Sequence, residues 1–397
     1  MIHPMQQLFC IELYPPGTLG RVFIDYALEA ITRHSGAGVD VDPVLNKLCI
    51  HDPILFSEKI ESVYDTVKTS VTLGNPFPTT LNDNRALSSQ RKAGILYNYY
   101  KPGRPETIIE CILDLLRQAK LQRLGDTMTT PSIMRLEFYE YSSPGYISSR
   151  LPKDHAYKKT NILSLGLAVL GSYILYTTRV KQERDIYNIY YLPLKDMELG
   201  DISRVKREVV SKIYSVSTDI QSSIQAYLTA RYIVKYGELL RTSTIGSIAY
   251  VRVSGNRYVL YRVERLYTAK WINLLEDLEA IDHESRVLLD TIVDTIIDAY
   301  NRAKQSKTRD GIIEAIKPLV LVIEDLHRYC NGATESLYTA IRTLYTIADN
   351  IKESREKKRM DSPWIRLDNL LRSKGMKSTG LLKKLANSLA SIGVYSS

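Results

Sequence analysis

From about residue 265 to its end, this chain loses the apolar–polar alternation that a half-buried strand needs. Apolar side chains recur there every three or four positions. Residues 271–303 carry Leu274, Leu275, Leu278, Ile281, Leu288, Leu289, Ile292, Val293 and Ile296 as one stripe of a long helix. Further helices are predicted over 311–329, 333–358, 365–371 and 381–392, joined by short turns with Gly and Ser. Stripes of this kind are buried only against one another, so the last third predicts an antiparallel helical bundle.

Before residue 265 the pattern mixes. Strands are predicted at 8–13, at 133–141, at the Tyr-rich 186–194 stopped by Pro193, and as a hairpin, 247–252 with 257–262, around Ser254-Gly255-Asn256. Helices are predicted at 21–33, 55–71, 106–124, 218–240 and 199–214, the last with a basic face of Arg204, Lys206, Arg207 and Lys212. With 397 residues, two domains are the natural division: a mixed α/β domain over 1–265 and the helical bundle over 266–397. The fold class is α+β, predominantly helical.

Charge divides the chain in the same place. Residues 301–397 hold 18 Lys and Arg against 10 Asp and Glu, a net +8 of the chain's +9. A positive end on a neutral body is the footprint of a protein that holds a polyanion at one place. Lys357, Lys358, Arg359, Arg366, Arg372, Lys374, Lys377, Lys383 and Lys384 are the expected phosphate-neutralising residues. The plainer reading is a helical tail kept soluble by charge. The 271–303 helix carries acid on one face (Glu276, Asp277, Glu279, Asp282, Glu284, Asp290, Asp294, Asp298) and is expected to dock a basic protein partner.

Residues 75–105 form a second cationic stretch, long and polar. Asn82, Asn84, Arg85, Gln90, Arg91 and Lys92 have side chains that reach base edges or phosphates, and Tyr97, Tyr99, Tyr100, Lys101 and Arg104 mix rings with cations. A surface helix with mobile flanks is the alternative. Tyrosine is abundant throughout, 28 against 5 phenylalanines, and with high Ile and Arg it matches the proteome of a hot-adapted archaeon.

Several chemistries find no support. Cys10, Cys49, Cys111 and Cys330 are widely spaced with no C-x-x-C pair, which argues against a disulfide framework or zinc site and suits a reducing cytoplasm. No phosphate-binding G-x-x-x-x-G-K-[ST] loop or dinucleotide fingerprint occurs. His51-Asp52 is followed by Pro53, which fits a turn better than the helix-borne pair of an HD phosphohydrolase, for which His34 is the candidate first ligand. His327 and Cys330 lie one turn apart without a second pair to complete a metal site. Residues 162–178 are apolar enough to resemble a membrane span but short and Gly/Ser-containing, so a core helix is expected, with no membrane partner and no signal peptide.

Residues 158–179 with Leu167-Ala168-Val169-Leu170-Gly171-Ser172-Tyr173, the strand 187–194, and the stretch 257–265 resemble the large subunit of archaeal type I-A CRISPR interference complexes, the Cascade-like assemblies of antiviral defence. The likeness spans about two-thirds of the chain. It implies no catalytic residues and no cofactor. A subunit of this kind recognises the short motif beside the target DNA, steadies the displaced strand and docks the helicase–nuclease effector. Its partners are guide RNA, target DNA, and the backbone and small subunits. Two alternatives stand beside it: a helical protein-interaction scaffold, and an HD-type metal-dependent nuclease.

Overall fold

The computed structural model describes residues 9–33, 36–42, 44–68, 107–130, 133–136, 159–182, 185–194, 197–210, 212, 216, 220–236, 244–254, 257–305, 309–359, 361–376 and 379–395. Within these the chain is α+β and mostly helical, with the strands all before residue 268. Residues cluster into two compact units. The first takes 1–192, 196–203 and 249–263; the second takes 193–195, 204–248 and 264–397. The second unit's main segment opens at Glu264, and segment 204–248 groups with the C-terminal helices.

In the first unit, β1 (Phe9–Glu12), β2 (Val39–Asp42) and β3 (Lys47–Ile50) form an antiparallel sheet in the order β1-β3-β2. Helix α1 (Leu19–Thr32) is capped by Thr18, whose hydroxyl oxygen accepts the Arg21 amide. α2 (Pro53–Lys68) starts with Pro53, and α3 (Ile108–Arg117) has a reciprocal capping box between Thr107 and Glu110. After α3 the chain turns through Ala119 (φ 53°), so the helix expected over 106–124 is broken, with only the short α4 (Leu121–Leu124) beyond. β4 (Thr127–Thr129) pairs with β5 (Lys159–Asn161). Residues 133–136 form a turn where a strand start was expected, because Met134 and Leu136 spend their carbonyls on the Gly20 and Leu19 amides at the α1 N-terminus.

Helix α5 (Ile162–Leu175) is the centre of this unit. It is buried along almost its whole length because α1, α2 and α3 pack around it. Among the described residues no helix is long and apolar enough to cross a membrane. The chain continues into β6 (Tyr176–Gln182) and β7 (Asp185–Pro193), whose hairpin register places Gln182 opposite Asp185. β8 (Thr244–Ser254) and β9 (Arg257–Tyr267) complete a sheet in the order β6-β7-β8-β9.

A disulfide joins Cys10 to Cys49, contrary to the expectation from cysteine spacing. The two are 39 residues apart in sequence, yet the β1–β3 register sets them directly opposite. Pairing across a sheet leaves no spacing signature. Cys111 and Cys330 are buried and take part in no disulfide. Closing a loop of this length restricts the unfolded chain by about 4 kcal/mol. A Cys10→Ser variant is expected to lose that much in urea unfolding of the oxidised protein, and to show no loss when both proteins are compared under reductant.

The second unit begins where α6 (Leu199–Val205) widens into a π-helical segment, Lys206–Val210. Lys206 was expected on a solvated basic face. It is instead 7% exposed, and burial pushes its ammonium down to about 7. The wide turn shifts the residues after it around the axis, which breaks the 3.6-residue face assumed from sequence. Then follow α7 (Gln221–Tyr236), α8 (Ala269–Ile281), α9 (His283–Gln305), α10 (Arg309–Cys330), α11 (Glu335–Glu356), α12 (Pro363–Ser373) and α13 (Thr379–Tyr395). The single helix expected over 271–303 is two helices. Asp282 leaves the helical region (φ −163°, ψ 105°), and its Oδ2 accepts the amide and hydroxyl of Ser285, starting α9 afresh. α9, α10, α11 and α13 pack consecutively, and α12 lies against α10 and α11. Trp271, fully buried, donates from Nε1 to His327 Nδ1.

Candidate nucleic-acid interface

The charged residues of the C-terminal helices mostly answer one another. Lys384 pairs with Asp282 at 3.1 Å and with Glu284, Lys374 with Asp298, and Lys383 with Asp349 at 2.7 Å. Asp368, nearly buried, holds Arg355 through both oxygens and Arg372 at 3.2 Å. Lys357 bonds to Glu353, one turn back. Of the nine cations expected to form one phosphate seat, Lys357, Arg372, Lys374, Lys383 and Lys384 are therefore engaged with the chain's own carboxylates.

The acidic side of the α8–α9 stretch is in part the other half of these pairs. Asp282, Glu284 and Asp298 face α12 and α13 rather than standing open to a partner. Asp290 and Asp294 take Arg231 of α7, and Asp290 also takes Arg286 and the Tyr227 hydroxyl. Acid on one helix and base on later helices was legible in the sequence. That complementarity was itself the sign that the two sets would meet.

Three expected cations remain exposed with no ion pair among the described residues: Lys358, Arg359 and Arg366. Two of them sit on the corner after α11. There the Lys358 amide donates to the Arg355 carbonyl and the Arg359 amide to the Ser354 carbonyl, while Lys358 takes φ 50°. This is a Schellman end, whose left-handed position favours glycine. Gly332 and Gly375 occupy the same place after α10 and α12. Here a lysine holds it, raising its charged side chain on a rigid turn. The Lys357 hydrogen bond, with smaller help from the Arg359 charge, holds the Glu353 carboxyl below its usual range. Arg366, on α12, lays its guanidinium over Gly311, where a β-carbon would collide with it.

Asn82, Asn84, Arg85, Gln90, Arg91, Lys92, Lys101, Arg104 and Lys377 lie outside the described residues, as does His34. Asp52 caps α2 by accepting the Leu55 amide at 3.0 Å, so His51-Asp52 forms a helix-entry turn. His327 is tied to Trp271 and Asn331, and burial pushes the Cys330 thiol up, leaving it inert. Among the described residues no group of His, Cys, Asp and Glu gathers into a metal-binding cluster. A cavity of about 160 Å³ lies beside Tyr26, Glu29, Arg33, Met197 and Leu199, where Glu29 and Arg33 already pair at 2.9 Å.

No protein-family model matches this chain, and no curated protein is a significant match in sequence. The site must be read from its own geometry.

Proposed function

We propose that this chain binds nucleic acid without chemically transforming it, as a large subunit of an RNA-guided interference complex does. The observation that supports the reading is the 357–359 corner: a lysine held in a strained left-handed position beside an arginine, both exposed and neither in an ion pair within 4 Å among the described residues. Glycine would take this conformation without strain, so the lysine costs stability at a corner where its ammonium is offered to solvent. With Arg366 on the next helix, the seat comprises three cations rather than nine.

That reduction changes the expected salt response. Three phosphate contacts on a single strand give a slope near −2 in log–log form, so affinity falls about 20-fold between 50 and 200 mM salt. Fluorescence anisotropy with a labelled oligonucleotide measures it. Lys358→Glu with Arg359→Glu is expected to weaken binding about tenfold or more and to flatten the slope. Lys358→Gly separates stability from function: it should stabilise the fold by about 1 kcal/mol and still weaken binding. No binding by the wild-type chain at low salt would remove the reading.

The dense pairing of α9 with α12 and α13 favours a second reading, a rigid protein-interaction scaffold. It predicts that the charge reversal leaves oligonucleotide binding absent in both proteins and alters only what co-purifies from the native host.

A further inference from the structure

Helix α11 has a face that the rest of its bundle leaves open. Its buried side runs through Leu337, Ala340, Leu344, Ile347 and Ile351, packed against α10, α12 and α13. At about 100° per residue, Glu335, Tyr338, Thr339, Arg342 and Thr346 fall on the opposite side, and each is exposed. The Thr339 and Thr346 hydroxyls bond to the Glu335 and Arg342 carbonyls, so neither asks for an outside partner. Further along, the charges answer one another: Lys383 holds Asp349 at 2.7 Å, Lys352 meets Glu356 at 3.9 Å, and Lys357 bonds to Glu353.

Tyr338 stands in the middle of the open stretch and is 63% exposed. Glu335 lies three residues before it and Arg342 four after. Neither the Glu335 carboxylate nor the Arg342 guanidinium has an ion pair within 4 Å among the described residues. They are about 10 Å apart along the axis, too far to pair with each other. An anion and a cation thus flank one exposed ring almost symmetrically, and this arrangement is complementary to itself. A two-fold axis between Tyr338 and Thr339 lays a second α11 antiparallel on the first. Each Glu335 then faces the other copy's Arg342, and the two Tyr338 rings meet at the centre. Tyrosine and arginine carry much of the energy of an interface once water is excluded from them. A nucleic-acid strand fits less well, because its phosphates would meet the Glu335 carboxylate beside the same ring.

We propose that this face of α11 is a self-association surface, joining two copies of the chain about a two-fold axis beside Tyr338. It uses none of the cations of the 357–359 corner, so it stands or falls independently of nucleic-acid binding.

Sedimentation equilibrium of the full chain should show a reversible dimer. Arg342→Glu sets carboxylates against carboxylates and is expected to weaken the dimer about tenfold or more, and Glu335→Arg should do the same with cations. The double exchange, Glu335→Arg with Arg342→Glu, should restore association, a rescue that a damaged fold would not give. Thr339→Cys, next to the axis, should link to its own copy under mild oxidation, whereas Lys317→Cys, exposed on α10, should not. A wild-type chain that stays monomeric up to about 100 μM overturns the proposal. So does a dimer that the single reversals leave unchanged, or a double exchange no stronger than either single one. If Arg342→Glu instead lowers oligonucleotide affinity in a monomeric chain, the face belongs to nucleic acid and the proposal falls.

Discussion

Gly171→Val is expected to destabilise the first unit by about 4 kcal/mol, enough to leave much of it unfolded near room temperature. α1 and α5 approach so closely that a β-carbon at Gly171 would overlap the carbonyl oxygen of Phe23, with the Phe23 Cα only 2.9 Å away. These are backbone atoms and have no rotamer by which to yield. Relief requires the two helices to part along a contact that buries Phe23, Ile24, Leu167 and Leu170. Gly200→Ala is the control, because nothing lies within 4 Å of its added carbon. Urea unfolding followed by circular dichroism should show a large shift for the first variant and almost none for the second. Equal shifts would mean that α1 and α5 do not meet at Gly171.

Lys206→Met is expected to act in the opposite direction, stabilising the second unit by about 4 kcal/mol at pH 7. Burial lowers the ammonium from an ordinary 10.5 to about 7 in the folded chain. Below pH 7 both folded and unfolded chains carry the proton, and the folded state bears the full cost of burying a charge. Between about 7 and 10.5 the unfolded chain holds one more proton than the folded one, so stability rises with pH. Above that window both forms are neutral and the cost is gone. The methionine keeps the apolar stem without the charge, so its advantage should be greatest below pH 7 and fade towards pH 10. A constant advantage across this range, or none, would show that Lys206 is not buried as a cation.

How much of this was legible in the sequence depends on whether a feature is local. The stripes that became α1, α2, α10 and α11 were readable because packing on one face imposes its own period. The β8–β9 hairpin was announced by its turn residues. Breaks were less visible. Asp282 reads as one more acid on an acidic face until its carboxylate is seen capping α9, and nothing around Ala119 or Lys206 marks the left-handed end or the wide turn. The candidate site was hardest, because a list of lysines does not say what faces them. Lys374 finds Asp298 and Lys383 finds Asp349 only once α9, α11, α12 and α13 are assembled.

The bridge between Cys10 and Cys49 encloses all of α1 in a covalent ring. A protease that cuts once inside that ring opens it without releasing either piece. The clipped molecule gains only one water, its two pieces still joined through sulfur, and the break shows as separate fragments only when a reductant lets them part.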